Sequence, residues 1–173
     1  MPRFNLTAAL LPALLLFAAC NDSNGATKVV ELQDDCDPAT FNAALGSGTC
    51  QRSSAGVTLT NFNAELQANH TAAAWRIVPT TLDVEEGATL PVRNIGGELH
   101  TYTEVEDFGG GVVPALNQLS GNTTVAPECA DQAAVASSTV RAGETMQHTF
   151  DEKGTEKYQC CIHPWMRQTV TVR

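Results

Sequence analysis

From residue 76 to residue 173, apolar and polar residues alternate in short runs, which is the period-2 signature of half-buried strands. Leu82 and Val84 open the pattern, Glu85-Glu86-Gly87 turns the chain, Leu90 and Val92 resume it, and Asn94 to Gly97 turn it again. Thr101 to Val105 is β-prone, and Gly109-Gly110-Gly111 ends it and opens a long loop containing Pro114 and Pro127. Val140 to Phe150 and Glu156 to Cys160 predict two strands around a Lys153-Gly154 turn, and Gln168 to Val172 predicts the last. Upstream the period lengthens. Asp37 is placed to cap a helix that Pro38 starts and Gly46 stops, with Phe41, Ala44 and Leu45 on one face. A second helix is predicted from about Asn61 to Asn69, with Phe62 and Leu66 on one side. Many short strands separated by Gly and Pro turns predict an all-β sandwich or barrel over 76–173, preceded by a short helical N-terminal extension over 29–75.

The first residues follow neither period. Residues 1–19 carry one positive charge, Arg3, and then an apolar run from Leu10 to Ala19 broken only by Pro12. The run is too short to span a bilayer and has the form of the apolar region of a signal peptide. It ends in Phe17-Ala18-Ala19-Cys20, which resembles the lipobox of bacterial lipoproteins, with phenylalanine where leucine is usual. That resemblance implies a lipid anchor on Cys20 and a protein facing the periplasm or cell exterior; plain secretion is the alternative. The small polar residues 20–28 read as a flexible tether.

Charge narrows the partners. The formal net charge is -9, and loss of the segment holding Arg3 makes it one unit more negative. Without a basic patch the chain is not expected to bind nucleic acid. An acidic surface can steer encounter with a basic protein or simply keep the protein soluble.

The chain has six cysteines, a disulfide-permissive number in an exported protein. With Cys20 assigned to the export signal, Cys36, Cys50, Cys129, Cys160 and Cys161 remain, so one thiol is left over. The leftover thiol is informative because of its neighbours. In Tyr158-Gln159-Cys160-Cys161-Ile162-His163-Pro164-Trp165-Met166, a thiolate, an imidazole and a thioether fall in one short loop between two strands. Copper, cycling between +1 and +2, suits two His, one Cys and a weak axial Met. The second His must come from another segment, and His70, His100 and His148 are the candidates. His70 and His148 have polar surroundings and read as solvated, while Met146 reads as packing. Zinc fits less well: His100, Cys160 and His163 could bind it, but no C-x-x-C or H-x-x-x-H pairing is present. The spacing of four thiolates that an iron–sulfur cluster needs is absent.

C-x-x-H-x-x-M after a strand, with N-x-x-x-x-x-H (Asn94 to His100) some sixty residues earlier, resembles the cupredoxins, and in particular the amicyanin and plastocyanin branch. The resemblance covers residues 76–173. It implies a Greek-key β-sandwich and one copper ion held by His100, Cys160, His163 and Met166. It also implies that Asn94 ties the ligand loop to the neighbouring strand. Three features depart from the compact members: a longer segment between His100 and Cys160, the additional Cys161, and Ile162 where proline is usual. An N–H at Ile162 pointing at the Cys160 sulfur would be expected to raise the reduction potential.

If Cys160 faces the ion, strand alternation turns Cys161 away from it. Cys129 in the long loop is then its natural partner, and Cys36 and Cys50 bracket the first helix. Two other connectivities remain open to the sequence. The expected function is single-electron transfer between redox partner proteins by a non-enzymatic monomer. Partners would dock at an apolar patch around Trp165 and Leu99, where the loop histidine comes nearest the surface. A copper-delivery or tolerance protein is the alternative, although the Met-rich or His-rich tracts that would favour it are absent. With four histidines and no H-x-H pair, a multicopper enzyme is not expected.

Overall fold

A computed structural model describes residues 28–173. The signal-like segment 1–19, Cys20 and the tether up to residue 27 lie outside the described residues. The elements run in the order β1 (Val30–Gln33), α1 (Pro38–Leu45), α2 (Leu59–Asn69), β2 (Arg76–Val78), β3 (Thr81–Val84), β4 (Ala88–Asn94), β5 (His100–Thr101) and β6 (Thr103–Val105). They continue with α3 (Pro114–Leu119), α4 (Pro127–Ala130), α5 (Gln132–Ser137), β7 (Thr139–Val140), β8 (Thr145–Phe150), β9 (Gly154–Gln159) and β10 (Arg167–Val172).

Two four-stranded sheets, β2-β1-β4-β8 and β3-β10-β9-β6, form the sandwich, and a short β5-β7 ladder sits apart from both. The β1–β4 and β3–β10 pairs are parallel and the remaining pairs antiparallel. Alternating side chains on the inner faces meet in one core. Val30, Leu32, Val92 and Phe150 come from one sheet, and Val84, Tyr158, Val170 and Val172 from the other. The expected all-β sandwich is therefore present, with mixed sheets and short helices.

The stretch 29–75, expected to be a helical extension, also contains a strand. It supplies β1, which pairs Val30 with Val92 and Leu32 with Asn94, and so lies inside the first sheet. A run of only four residues gave too little alternation to register as a strand. Its helices carry the expected caps: Asp37 accepts from Thr40 N at 2.9 Å, and Thr58 accepts from Asn61 N at 3.3 Å. Thr58 starts α2 at Leu59, two residues before the predicted Asn61. Phe41, Phe62, Leu66 and Trp75 are buried in the main core, and Phe62 lies 4.5 Å from Trp75 between ring centroids.

The long loop after Gly111 holds the three short helices α3, α4 and α5. Pro114 and Pro127 stand in the first turns of two of them, and Asp131 caps the third. The predicted strand Val140–Phe150 is broken by a turn at Gly143, whose φ of +77° favours glycine. The break lets β7 pair with β5 while β8 pairs with β4. His148 is not solvated. Its ring is half-buried among Tyr102, Phe150 and Tyr158, and its Nε2 lies 2.7 Å from Tyr158 Oη. Met146 packs against the core, as expected. His70 terminates α2 in the left-handed region, and its Nδ1 lies 2.9 Å from Leu119 O.

Candidate metal centre

Three segments converge at one end of the sandwich. β9 delivers Cys160, and the tight turn after it brings His163 and Met166 back beneath it. Met166 N donates to His163 O at 2.9 Å, and Cys160 N donates to Met166 O at 3.0 Å. The β4–β5 turn delivers His100. Asn94 Nδ2 donates to Glu98 O at 2.7 Å and to Val140 O at 2.9 Å, while its Oδ1 accepts from Gly96 N at 2.9 Å. It thus ties the His100 turn to β7, the strand opposite His100.

The result is a buried group of His100, Cys160 and His163 whose donor atoms lie within 4.8 Å of one another. His100 Nδ1 and His163 Nδ1 are each 3.8 Å from Cys160 Sγ. A first-row ion held trigonally at about 2.0 Å from nitrogen and about 2.3 Å from sulfur sets those atoms about 3.7 Å apart. Both nitrogen–sulfur separations therefore suit such an ion. Met166 is buried in the same loop at 1 % exposure.

Electrostatics agree with a thiolate at the centre. Burial by itself would raise the Cys160 thiol, but hydrogen bonds and charge from His100 and His163 outweigh it and hold the thiol well below its ordinary value. The backbone N–H groups of Thr101 and His163 approach the sulfur at 3.4 and 3.5 Å. The Ile162 N–H is not among these donors, so the expected effect of Ile162 through a sulfur hydrogen bond is corrected. Ile162 is half-buried and packs against the main core.

Behind each imidazole stands a carboxylate that the sequence did not reveal. His100 Nε2 lies 2.9 Å from Asp34 Oδ2, with both side chains fully buried. Burial by itself would raise Asp34, but His100 and the backbone N–H groups of Glu98 and Gly97 hold it well below the usual carboxylate range. Conversely, burial would lower His100, but Asp34 and Cys160 raise it to about 9 in the metal-free protein. His163 Nε2 lies 3.6 Å from Glu98 Oε2, which accepts from Trp75 Nε1 at 2.6 Å. Burial raises Glu98 above its ordinary value, opposed chiefly by the charge of His163.

Helix α2 covers this end of the molecule. His163 is only 3 % exposed, edge-on to Phe62 and to Trp165. The loop histidine is therefore not the surface ligand that the resemblance implied. Trp165 is half-buried against Phe62, with ring centroids 5.9 Å apart. Leu99 is 41 % exposed, and it lines with Ile162 and Glu98 a cleft of about 270 Å³ that reaches His163. The disulfides Cys36–Cys50 and Cys129–Cys161 are both formed, leaving Cys160 as the free cysteine among the described residues.

The two-sheet sandwich with a buried His, Cys and His at one end is the arrangement that the cupredoxin resemblance implied. Among solved structures the chain is similar to a purple cupredoxin from Nitrosopumilus maritimus, at 23 % identity over 62 % of this chain and 93 % of that one, with a TM-score of 0.40. It is similar to a copper-containing nitrite reductase from Thermus scotoductus SA-01, at 18 % identity over 57 % of this chain and 20 % of that one, with a TM-score of 0.37. A mutant amicyanin in its Cu(I) form is 22 % identical over 57 % of this chain and 73 % of that one, with a TM-score of 0.36. No family model and no curated protein matches the sequence.

Proposed function

We propose that the protein is an exported, mononuclear copper protein that carries single electrons between redox partners. The observation that carries this reading is the convergence of His100 Nδ1 and His163 Nδ1 on the Cys160 thiolate, 3.8 Å from each, in a buried pocket. Two imidazoles and a thiolate, with Met166 as the weak fourth donor, would hold the ion. Copper supplies a one-electron couple there.

The chain's own residues keep that set rigid. Asn94 fixes the His100 turn, and the Cys160–Met166 backbone bond closes the loop. Phe62 and Trp165 pack edge-on to His163 and tilted to each other, and His163 is left 3 % exposed. A four-donor set enclosed in this way leaves no site for a substrate, which favours a carrier over an enzyme. Partners dock where Leu99 and Ile162 flank the cleft leading to His163. Redox encounters need only a small interface, and the acidic surface speeds approach of a basic partner. Two disulfides accord with an oxidising compartment. No helix among the described residues is long and apolar enough to cross a membrane.

The test is optical. The copper-loaded protein should show an intense thiolate-to-copper band in the visible and bind one ion per chain. Cys160→Ser should remove the band. A band that persists in Cys160→Ser overturns the assignment.

A further inference from the structure

Asp34 is remote from every residue that the ligand motif names. It follows β1, 66 positions before His100. Its carboxylate is fully buried, and each of its recorded hydrogen-bond partners can act as a donor. Gly97 N donates at 2.8 Å to Oδ2 and at 3.0 Å to Oδ1, Glu98 N at 3.0 Å to Oδ2, and Cys36 N at 3.1 Å to Oδ1. The fourth partner is His100 Nε2, at 2.9 Å from Oδ2. A carboxylate surrounded by three backbone N–H groups is an acceptor only, so the proton in the Asp34–His100 bond sits on Nε2. The Nε2 proton is thereby held, so the ring proton that a metal ion would displace is the one on Nδ1, the nitrogen facing Cys160.

The turn is shaped around this carboxylate. A Cβ on Gly96 would collide with the Asp34 side chain, and one on Gly97 would crowd Cys36 Sγ and Arg52. The glycine pair lets the backbone amides close on Asp34, while the Cys36–Cys50 disulfide anchors the chain two residues beyond it.

We infer that Asp34 is a positioning residue of the metal centre: it orients His100 for ligation through Nδ1 and biases the centre toward its more highly charged oxidation state. A fixed negative charge one imidazole away from the ion stabilises +2 over +1, and between two fully buried side chains it is little screened. The stretch 29–75 is then part of the metal centre through Asp34, rather than an appendage. This inference rests on the copper reading above.

Asp34→Asn tests it, with Asp35→Asn as the control because Asp35 is partly exposed and pairs with Arg52. Outer partners of ligating histidines typically change metal affinity by about 10–100-fold. The preference for Cu(II) over Cu(I), read by chelator competition against each ion, should fall at least tenfold in Asp34→Asn, while Asp35→Asn leaves it unchanged. For a one-electron couple tenfold corresponds to about 59 mV, so spectroelectrochemistry should find the potential raised by at least that much. An unchanged ratio in a variant that keeps the visible band overturns the role of Asp34 and leaves the copper reading standing. Absence of the band in the wild-type protein overturns the copper reading itself. Should Asp34→Asn not fold, nitrogen-15 imidazole spectra of the wild-type Cu(I) protein decide the matter. A protonated, slowly exchanging Nε2 on His100 supports the inference, and a protonated Nδ1 overturns it.

Discussion

Phe62 joins α2 both to the sandwich core and to the metal centre, so Phe62→Ala tests whether the two are one cooperative unit. The ring is 3 % exposed. It contacts Phe41, Trp75 and Trp165 at centroid separations of 5.6, 4.5 and 5.9 Å, and His163 at 6.5 Å. A buried ring of this size withholds roughly 150 Å² from water, which at about 25 cal/mol/Å² amounts to ~4 kcal/mol. Measured truncations of buried aromatics span about 3–5 kcal/mol, and the Cys36–Cys50 bridge upstream limits how far the site can collapse around the hole. With a urea dependence of roughly 2 kcal/mol/M for a chain of this size, the midpoint should fall by about 2 M. The assay is urea unfolding of the copper-free protein, followed both by tryptophan fluorescence and by far-ultraviolet circular dichroism. Both probes should shift together, because Trp75 lies in the same core as β1 and β4. A fall of less than about 0.5 M, or a separate early transition seen only by fluorescence, would refute the claim that α2 belongs to the cooperative core.

Two further outcomes follow from the same geometry. Replacing Cys129 and Cys161 together by serine opens a loop with a sequence separation of 32. It should cost on the order of 3–4 kcal/mol in urea unfolding while leaving the visible band in place; loss of the band would mean that the bridge also positions Cys160. Burial lowers His148 below its ordinary value of 6.5, opposed by the charge of Asp151. The unfolded chain therefore binds that proton more tightly than the fold, so the contribution of the neutral ring is present above about pH 6.5 and is lost as pH falls through the lowered value. Urea midpoints measured from pH 7.5 to 5 should decline more steeply for the wild type than for His148→Gln, and parallel slopes would count against this account.

The parts of the site that the sequence disclosed are local ones. Cys160, His163 and Met166 are separated by two residues each, so a single turn must bring them together, and the chemistry of the three side chains is readable without coordinates. His100 needed the Asn94 spacing, because a histidine beside a glycine turn is otherwise unremarkable. Strand alternation implied that Cys161 points away from Cys160, but its pairing with Cys129 rather than Cys36 or Cys50 was decided by the fold. Alternation likewise disclosed β3, β4 and β10. The first turns of α3 and α4 are marked by Pro114 and Pro127, and Asp131 marks the start of α5. Those signals were present but were outweighed by the length of the glycine- and proline-bounded loop.

What only the tertiary structure decided is non-local. Val30–Gln33 is too short to declare itself, and its parallel pairing with β4 depends on a chain reversal through two helices. Asp34 meets His100 across 66 positions, and nothing in the sequence around either residue points to the other. His163 is a surface residue or a buried one according to whether α2 folds back over it, and that is settled by the fit of Phe62 against Trp75 and Trp165. Ligand identity is thus written within a few bonds of the backbone. The charge and water around the ligands depend on packing between segments that only folding brings together, because burial and electrostatic coupling act through space and not along the chain.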